Sequence, residues 1–250
     1  MTVRIAMWSG PRNISTAMMR AFENREDAAV SDEPFYAAYL AASGADHPMR
    51  EETLASQPTD WREVAAAMTG PAPGGAPIWY QKQMCHHMLP GFGVEWMDIC
   101  ANAFLIRAPE QVLASYAAKR VARNLADLGV ERQVELFDRV ADRIGAAPPV
   151  LDGADVLADP AGMLKALCAA LDIPFSARML HWPAGRRTND GAWAPAWYDA
   201  VERSTGFVAP ERFATFDDLP DHAKPIAEAA RPFYDRMARF LLRLPKGAKP

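Results

Sequence analysis

Short apolar runs alternate with helix-like segments along most of the chain. Five of these runs have the length and composition of buried strands. They lie at residues 3–8, 28–31, 78–82, 103–106 and 149–152. Because strands that alternate with helices form parallel sheets with right-handed crossovers, the pattern predicts an α/β fold. We expect three layers, α/β/α, around a central and mostly parallel sheet.

The segments between these runs carry the start signals of α-helices. Asp159 and Pro160 are the residue types favoured at the N-cap and at the first helical position. Helices are predicted at residues 15–25, 35–42, 61–68, 109–123, 126–144, 160–171 and 224–242. Most predicted strands are therefore followed by a helix, as the layered interpretation requires.

One long stretch, residues 43–76, interrupts this alternation. It is rich in Gly, Pro, Asp and Glu, and residues 70–75 read Gly-Pro-Ala-Pro-Gly-Gly. We expect a surface insertion or lid there. With 250 residues the chain has the length of one α/β domain, 1–250, and a C-terminal tail, 186–250, is expected to pack on it.

The amino-acid composition limits the classes of function that the chain can have. Half of the residues are hydrophobic, 23% are charged and the formal net charge is -4, so the chain as a whole does not attract nucleic acid. Any anion site must be built locally, and we expect no nucleic-acid partner. Cys85, Cys100 and Cys168 are too scattered for a disulfide framework or a structural zinc site, and no metal is predicted. Residues 1–8 fit neither a signal peptide nor a membrane span, so a cytoplasmic protein without a membrane partner is expected.

The first strand leads into a loop that can bind an anion. Residues 9–16 read Ser-Gly-Pro-Arg-Asn-Ile-Ser-Thr, and a helix is predicted to begin within this stretch. Unpaired backbone N–H groups and the positive end of the helix dipole favour phosphate or sulfate at such a place. Side-chain donors come from Arg12, Ser15 and Thr16. The Walker A pattern fits poorly because Ile14 stands at its second glycine and Ser15 at its lysine. The candidate binding residues of this loop are Gly10, Pro11, Arg12, Asn13, Ile14, Ser15 and Thr16.

This loop resembles the 5′-phosphosulfate loop of P-loop-containing sulfotransferases that use 3′-phosphoadenosine 5′-phosphosulfate (PAPS). In that family a proline and a cation precede a Ser/Thr pair at the helix start, as Pro11, Arg12, Ser15 and Thr16 do here. Arg12 replaces the lysine usual in the animal cytosolic enzymes, and Ile14 replaces a glycine. Arginine suits bidentate contact with oxyanions.

A second stretch resembles the 3′-phosphate motif of the same family. Arg107 stands at the end of the fourth predicted strand, and Ser115 follows eight residues later on the next helix. The resemblance implies that both contact the 3′-phosphate of PAPS. In the tail, Arg186 and Arg187 are similar in place to the basic segment that covers the 3′-phosphate and adenine in the family. A solvated basic turn is the alternative interpretation of these two arginines.

Two residues are candidates for the base that deprotonates an acceptor hydroxyl. Glu33 follows the second strand, whose end faces the ligand crevice of an open parallel sheet, and it resembles in position the glutamate base of certain bacterial sulfotransferases. His86 lies near the end of the third strand, where the animal enzymes carry their histidine, but four residues after Lys82 instead of two. We favour Glu33, with His86 as partner or substitute and Lys82 stabilising the leaving oxygen. Helix capping by Asp32 and Glu33 is the competing interpretation.

The resemblance implies transfer of a sulfuryl group from PAPS to a small-molecule alcohol, with an amine as the lesser alternative and without a metal. Aromatic side chains at residues 193–198 are candidates for an acceptor pocket or for core packing. Two other functions stay open from the residues alone. One is a P-loop nucleotide or small-molecule kinase, and the other is a non-catalytic nucleotide-binding module.

Overall fold

A computed structural model describes residues 2–117, 122 and 124–244. Within this part of the chain, five strands form one sheet in which every pairing is parallel. The strands are β1 (Val3–Ser9), β2 (Ala28–Asp32), β3 (Ile78–Met84), β4 (Ala101–Ile106) and β5 (Val150–Asp152). Their order across the sheet is β2-β3-β1-β4-β5. The predicted parallel α/β architecture is confirmed.

Helices connect the strands and continue through the C-terminal half. They are α1 (Ser15–Glu23), α2 (Tyr36–Ser43), α3 (Arg50–Ser56), α4 (Trp61–Thr69), α5 (Pro109–Ala117), α6 (Val130–Ile144), α7 (Gly153–Ala158), α8 (Pro160–Ala170), α9 (Ala194–Trp197), α10 (Asp199–Glu202) and α11 (Lys224–Ala238). The predicted helix at 109–123 is described over α5, whereas residues 118–121 and 123 lie outside the described part. Asp159 caps α8 through its carboxylate, which accepts from the Gly162 N–H, as predicted.

The helix predictions were least accurate where the apolar periodicity is weak. No helix is predicted at α3, which buries only Thr53 and therefore has no apolar stripe. The helix predicted from residue 126 begins at Val130, because residues 125–128 form a 3₁₀ turn that ends at Gly129 with a φ of 66°. The second helix of the insertion, α4, lies close to its predicted bounds, so residues 43–76 are more ordered than a plain loop.

The two faces of the sheet are packed against different helices. Along β1, Ile5 and Met7 join a buried cluster with side chains of α1, α7 and α8. Ala6 and Trp8 point the other way and join a cluster with side chains of α2, α4, α6 and α11. Because successive side chains of a strand alternate between faces, β1 contributes to two cores and the molecule has the three predicted layers.

Candidate active site

A cavity of about 490 Å³ opens at the edge of the sheet where the parallel strands end. Open α/β sheets bind ligands at this edge, where the loops after neighbouring strands converge. The walls come from the loop after β1, the ends of β2, β3 and β4, helix α5, and the tail between residues 197 and 210. The candidate residues can therefore be judged by whether they line this cavity.

The loop after β1 combines an uncapped helix start with an unusual backbone. Arg12 and Ile14 have φ angles of 58° and 47°, in the left-handed region that non-glycine residues rarely adopt. Ile14 precedes α1 and supplies no side-chain cap, while Ser15 and Thr16 of the first turn line the cavity. Asn13 fixes the loop to β4, because its Nδ2 donates to the Leu105 carbonyl at 2.6 Å. This arrangement leaves first-turn backbone donors for an anion.

Gly10 contributes in a different way from the rest of the loop. It does not line the main cavity. A Cβ atom at this position would lie 2.6 Å from the Leu128 carbonyl oxygen, well inside van der Waals contact. Gly10 therefore permits the close approach of the loop to the turn at residues 125–128, and its part in binding is indirect.

The structure brings the two sequence motifs together in this cavity. The Arg12 Nε donates to the Ser115 Oγ at 3.1 Å, and the Arg107 guanidinium donates to the Arg12 carbonyl at 2.7 Å. Burial lowers the pKa of Arg12, against attraction from Asp199 and Tyr116. Burial and then repulsion from Arg12 lower the pKa of Arg107. Two partly buried guanidinium groups that repel each other favour an anion between or beside them.

The tail arginines lie elsewhere. Neither Arg186 nor Arg187 lines the cavity, and Arg186 is exposed. The Arg187 Nε lies 3.7 Å from a carboxylate oxygen of Glu23, at the end of α1. The backbone N–H of Arg187 donates to Asp190, which in turn pairs with the buried Arg20. This turn is thus anchored on α1, and contact of its arginines with the 3′-phosphate and adenine stays a prediction.

At the other end of the cavity, two acids at the end of β2 contact the lysine of β3. The Lys82 Nζ donates to the Asp32 Oδ1 at 3.0 Å and to the Glu33 Oε1 at 2.6 Å. It also donates to the hydroxyl of Tyr198, which comes from the tail. All four side chains are almost fully buried. Neither acid caps α2, because Phe35 occupies the N-cap position without a side-chain cap.

Burial and charge set the protonation of this cluster. Burial raises the pKa of Glu33, repulsion from Asp32 adds to the rise, and attraction to Lys82 opposes it. Burial alone would lower the pKa of Lys82, but the two carboxylates raise it, so Lys82 is held as a cation. Glu33 also has a φ of 40°, a strained backbone angle of the kind that clusters at functional sites.

Two neighbouring histidines complete this end of the site. His86 lines the cavity, and burial together with His47 lowers its pKa to about 3. His87, not His86, is the imidazole near the acid, with its Nε2 4.0 Å from the Glu33 Oε2. The ring of His87 stacks on Tyr36 at 4.4 Å, and the Tyr36 hydroxyl lies 2.8 Å from the His47 Nδ1.

Several residues of this site were missed or misread in the sequence. Asp32 is predicted only as a possible helix cap, and no role is predicted for His87. Tyr198 was considered only for an acceptor pocket or for the core. Asp32 and Lys82 are direct partners in the β2–β3 register, so the order of the strands would have revealed that pair. No local pattern marks Tyr198.

Two further searches concern the described residues only. Among residues 2–117, 122 and 124–244, no group of three or more His, Cys, Asp and Glu side chains is arranged to hold a metal ion. In the same part of the chain, every helix is too short or too polar to cross a bilayer.

Comparison with curated proteins gives two plant relatives. Branched-chain-amino-acid aminotransferase-like proteins 2 and 1 of Arabidopsis thaliana are 35% and 36% identical to this chain over 209 residues. The alignments cover 84% of this chain and 37% of each relative. The chain therefore spans a little over a third of the length of these proteins.

Solved structures show a shared fold, and a family model gives the family. A sulfotransferase from Alicyclobacillus acidocaldarius matches with a TM-score of 0.58 and 11% identity, covering 97% of both chains. The sulfotransferase domain from the curacin biosynthetic pathway matches with a TM-score of 0.53 and 13% identity, covering 92% of this chain and 98% of that domain. At such identities the two structures show a shared fold. The family model described as "Sulfotransferase domain" matches residues 3–240, so the chain belongs to the sulfotransferase domain family.

Proposed function

We propose that this domain transfers a sulfuryl group from PAPS to a hydroxyl of a small-molecule acceptor, in line and without a metal. One observation carries the proposal: two arginine-bearing anion motifs and a buried Glu33–Lys82 pair line the same cavity. Cationic donors at one end suit a nucleotide that carries several negative charges. An acid with a raised pKa at the other end suits removal of a hydroxyl proton.

The donor set fits the anionic groups of PAPS. The first turn of α1 offers backbone N–H groups with Ser15 and Thr16, as a phosphosulfate requires. Arg12, Arg107 and Ser115 add two guanidinium groups and a hydroxyl, which suit a second phosphate. The Arg12 side chain lies with the second motif, so we assign it to both phosphate groups. Arg186 and Arg187 are no longer part of the proposed site.

The proposed chemistry uses a carboxylate and an ammonium. The acceptor hydroxyl gives its proton to Glu33, and the acceptor oxygen forms a bond to sulfur. The bond between sulfur and the bridging phosphate oxygen breaks, and its electron pair stays on that oxygen. Lys82 compensates the negative charge that develops there. The products are the sulfated acceptor and adenosine 3′,5′-bisphosphate.

Glu33 suits the role of base better than His86. A general base works best when its pKa is near the working pH. The environment of Glu33 raises its pKa toward that range, whereas the pKa of His86, about 3, leaves a weakly basic imidazole. His87 is closer to Glu33 and is the better candidate for a group that contacts the acceptor.

We propose that residues 43–76 belong to the same domain as a wall of the acceptor end. His47 lines the cavity, and Gln57 donates from this stretch to the Glu33 carbonyl at 3.2 Å. The acceptor would enter between this wall and the tail at residues 197–210. A small-molecule alcohol is expected because the nucleotide would occupy part of a cavity of about 490 Å³.

Calorimetry with adenosine 3′,5′-bisphosphate and with ATP and magnesium tests the nucleotide assignment. We expect the bisphosphate to bind clearly more tightly, since the second motif is built for its 3′-phosphate. An assay of sulfuryl transfer from PAPS to a panel of alcohols then tests the reaction. Equal or tighter binding of ATP and magnesium, with ATP consumption, would instead favour the kinase function.

A further inference from the structure

Asp32, Glu33, Lys82 and Tyr198 form an acid–lysine cluster. The hydroxyl of Tyr198 makes as many hydrogen bonds there as a phenol can make. It donates to the carboxylate of Asp32, whose two oxygens both lie at 2.8 Å. It accepts from the Trp193 Nε1 at 3.0 Å and from the Lys82 Nζ. A phenol has one donor and two acceptor sites, so these three partners saturate it. The Glu33 Oε1 lies farther from the same hydroxyl, at 3.5 Å, so the single phenol proton is shared mainly with Asp32.

The carboxylates of Asp32 and Glu33 therefore accept different numbers of short hydrogen bonds. Asp32 accepts from Tyr198, from Lys82 and from the backbone N–H of Gly191 at 3.1 Å. The Glu33 carboxylate has one short donor, the Lys82 ammonium at 2.6 Å, with the Tyr198 hydroxyl at 3.5 Å and an imidazole nitrogen of His87 at 4.0 Å. Donors to the charged form of an acid stabilise that form. A proton that reaches this pair consequently goes to Glu33.

We propose that Tyr198 is a positioning residue: its hydroxyl holds Asp32 in the ionised state, so that Glu33 is the acid that takes the acceptor proton. This inference rests on the proposed function for its catalytic meaning, though the charge arrangement exists without it. Paired acids whose environments differ commonly divide the roles of base and charge stabiliser in this way. The tail thus selects the base, although it lies more than a hundred residues from β2 and β3.

The groups that face the two carboxylates define what a titration would detect. They come from the strand end of β2, from β3 and the turn after it, and from the tail. These groups are Asp32, Glu33, Tyr80, Lys82, His87 and Tyr198. Of these, Tyr198 is the one neutral donor that acts on Asp32, so its hydroxyl can be removed without changing the net charge of the cluster.

The variant Tyr198→Phe tests the inference. It keeps the ring that packs against Lys82 and removes the hydroxyl alone. Carbon-13 NMR of labelled aspartate and glutamate carboxyls, assigned with Asp32→Asn and Glu33→Gln, follows which acid is protonated as the pH falls. We expect protonation to move from Glu33 toward Asp32 in the variant. An unchanged titration of both carboxyls would overturn the inference, and this readout needs no PAPS and no turnover.

Activity supplies the second readout. Loss of one hydrogen bond to a charged group corresponds to roughly a tenfold fall in kcat, with unchanged affinity for adenosine 3′,5′-bisphosphate. The control is Thr69→Val, which removes a hydroxyl that donates to the Ala65 carbonyl within α4, away from the cavity, and it should leave kcat unchanged. If the parent protein transfers no sulfuryl group, the proposed function fails, while the NMR titration still decides the role of Tyr198.

A double variant separates positioning from general structure. If Tyr198 acts through Asp32, adding Tyr198→Phe to Asp32→Asn should lower kcat little further, because coupled residues give non-additive effects. Full additivity of the two losses would contradict the proposal. A lowered melting temperature with an unmoved carboxyl titration would likewise assign Tyr198 to packing alone.

Discussion

The charged groups are paired differently at the two ends of the cavity, the loop end after β1 and the acid end around Lys82. At the loop end, Arg12 and Arg107 repel each other, and the described contacts between the motifs are donated to a hydroxyl and a backbone carbonyl. At the acid end, Lys82 donates to two carboxylates and a phenol, which satisfies all three of its donors. The loop end is thus arranged to receive an anion, whereas at the acid end the single cation is already paired with two carboxylates.

This difference separates binding from proton transfer. A buried cluster whose two carboxylates already occupy its one ammonium gains nothing from an added anion, but a small change in its donors can move a proton between Asp32 and Glu33. A repelling pair of guanidinium groups gains from any oxyanion that enters. Variants at the acid end should therefore change turnover with little change in nucleotide affinity, and variants at the loop end should change nucleotide affinity first.

The largest effect is expected from Glu33→Gln. The amide cannot accept the acceptor proton, so kcat should fall by about 10²- to 10⁴-fold, the usual contribution of a general base. Because burial raises the pKa of Glu33, the parent protein should lose activity with falling pH above the range of an ordinary carboxyl, and the variant should lack this acidic limb. Rates of sulfuryl transfer from PAPS across pH measure both.

Glu63→Gln is the matched control, since Glu63 is an exposed acid in the first turn of α4. It should leave the rate and the pH profile unchanged. Adenosine 3′,5′-bisphosphate should bind Glu33→Gln with nearly the affinity of the parent protein. A large loss of affinity in Glu33→Gln would mean that the acid end also binds the nucleotide. The two ends would then not act separately, which would contradict the comparison.

A smaller effect is expected from Arg107→Ala. Hydrogen bonds to charged groups contribute about 1.5–3 kcal/mol, so the Kd for adenosine 3′,5′-bisphosphate should rise by roughly 10- to 150-fold. Calorimetry measures this change. Arg178→Ala removes the same charge from an exposed pair with Glu26 and should leave the Kd unaltered. Unchanged affinity in Arg107→Ala would remove the second motif from the site.

The loop end and the acid end of the cavity also differ in how far they could be predicted from the sequence. The loop at residues 9–16 and the Arg107–Ser115 pair are short runs whose geometry is set by one strand end and one helix start. Local pattern is therefore sufficient to find them. The parallel sheet could be predicted for the same reason, because each strand and helix carries its own periodicity.

The acid end depends on contacts between distant segments. Asp32 and Lys82 are 50 residues apart, and Lys82 and Tyr198 are 116 residues apart. Only the strand order and the path of the tail bring them together, and neither can be inferred from a local sequence pattern. The tail arginines show a converse limit: similar sequence position suggests nucleotide contact, which stays a prediction, while the Asp190–Arg20 pair holds that turn on α1.

The smallest effect is expected where the insertion meets the base, at Gln57. Its Oε1 accepts from the Ala37 N–H at 3.1 Å, and its Nε2 donates to the carbonyl of Glu33, whose φ is 40°. Gln57→Ala removes both bonds, each of which contributes about 1 kcal/mol, and frees a strained turn. We expect kcat to fall about fivefold with unchanged affinity for adenosine 3′,5′-bisphosphate, measured by initial rates and calorimetry.

Ser56→Ala is the control for Gln57→Ala, because the Ser56 Oγ bonds only within α3, to the Thr53 carbonyl. It perturbs the same insertion without touching the Glu33 turn, so kcat should not change. If both variants lowered kcat equally, residues 43–76 would influence the site through general stability. An effect confined to Gln57→Ala would mean that the acid end is held from two sides, by the insertion at the Glu33 backbone and by the tail at the Asp32 carboxylate.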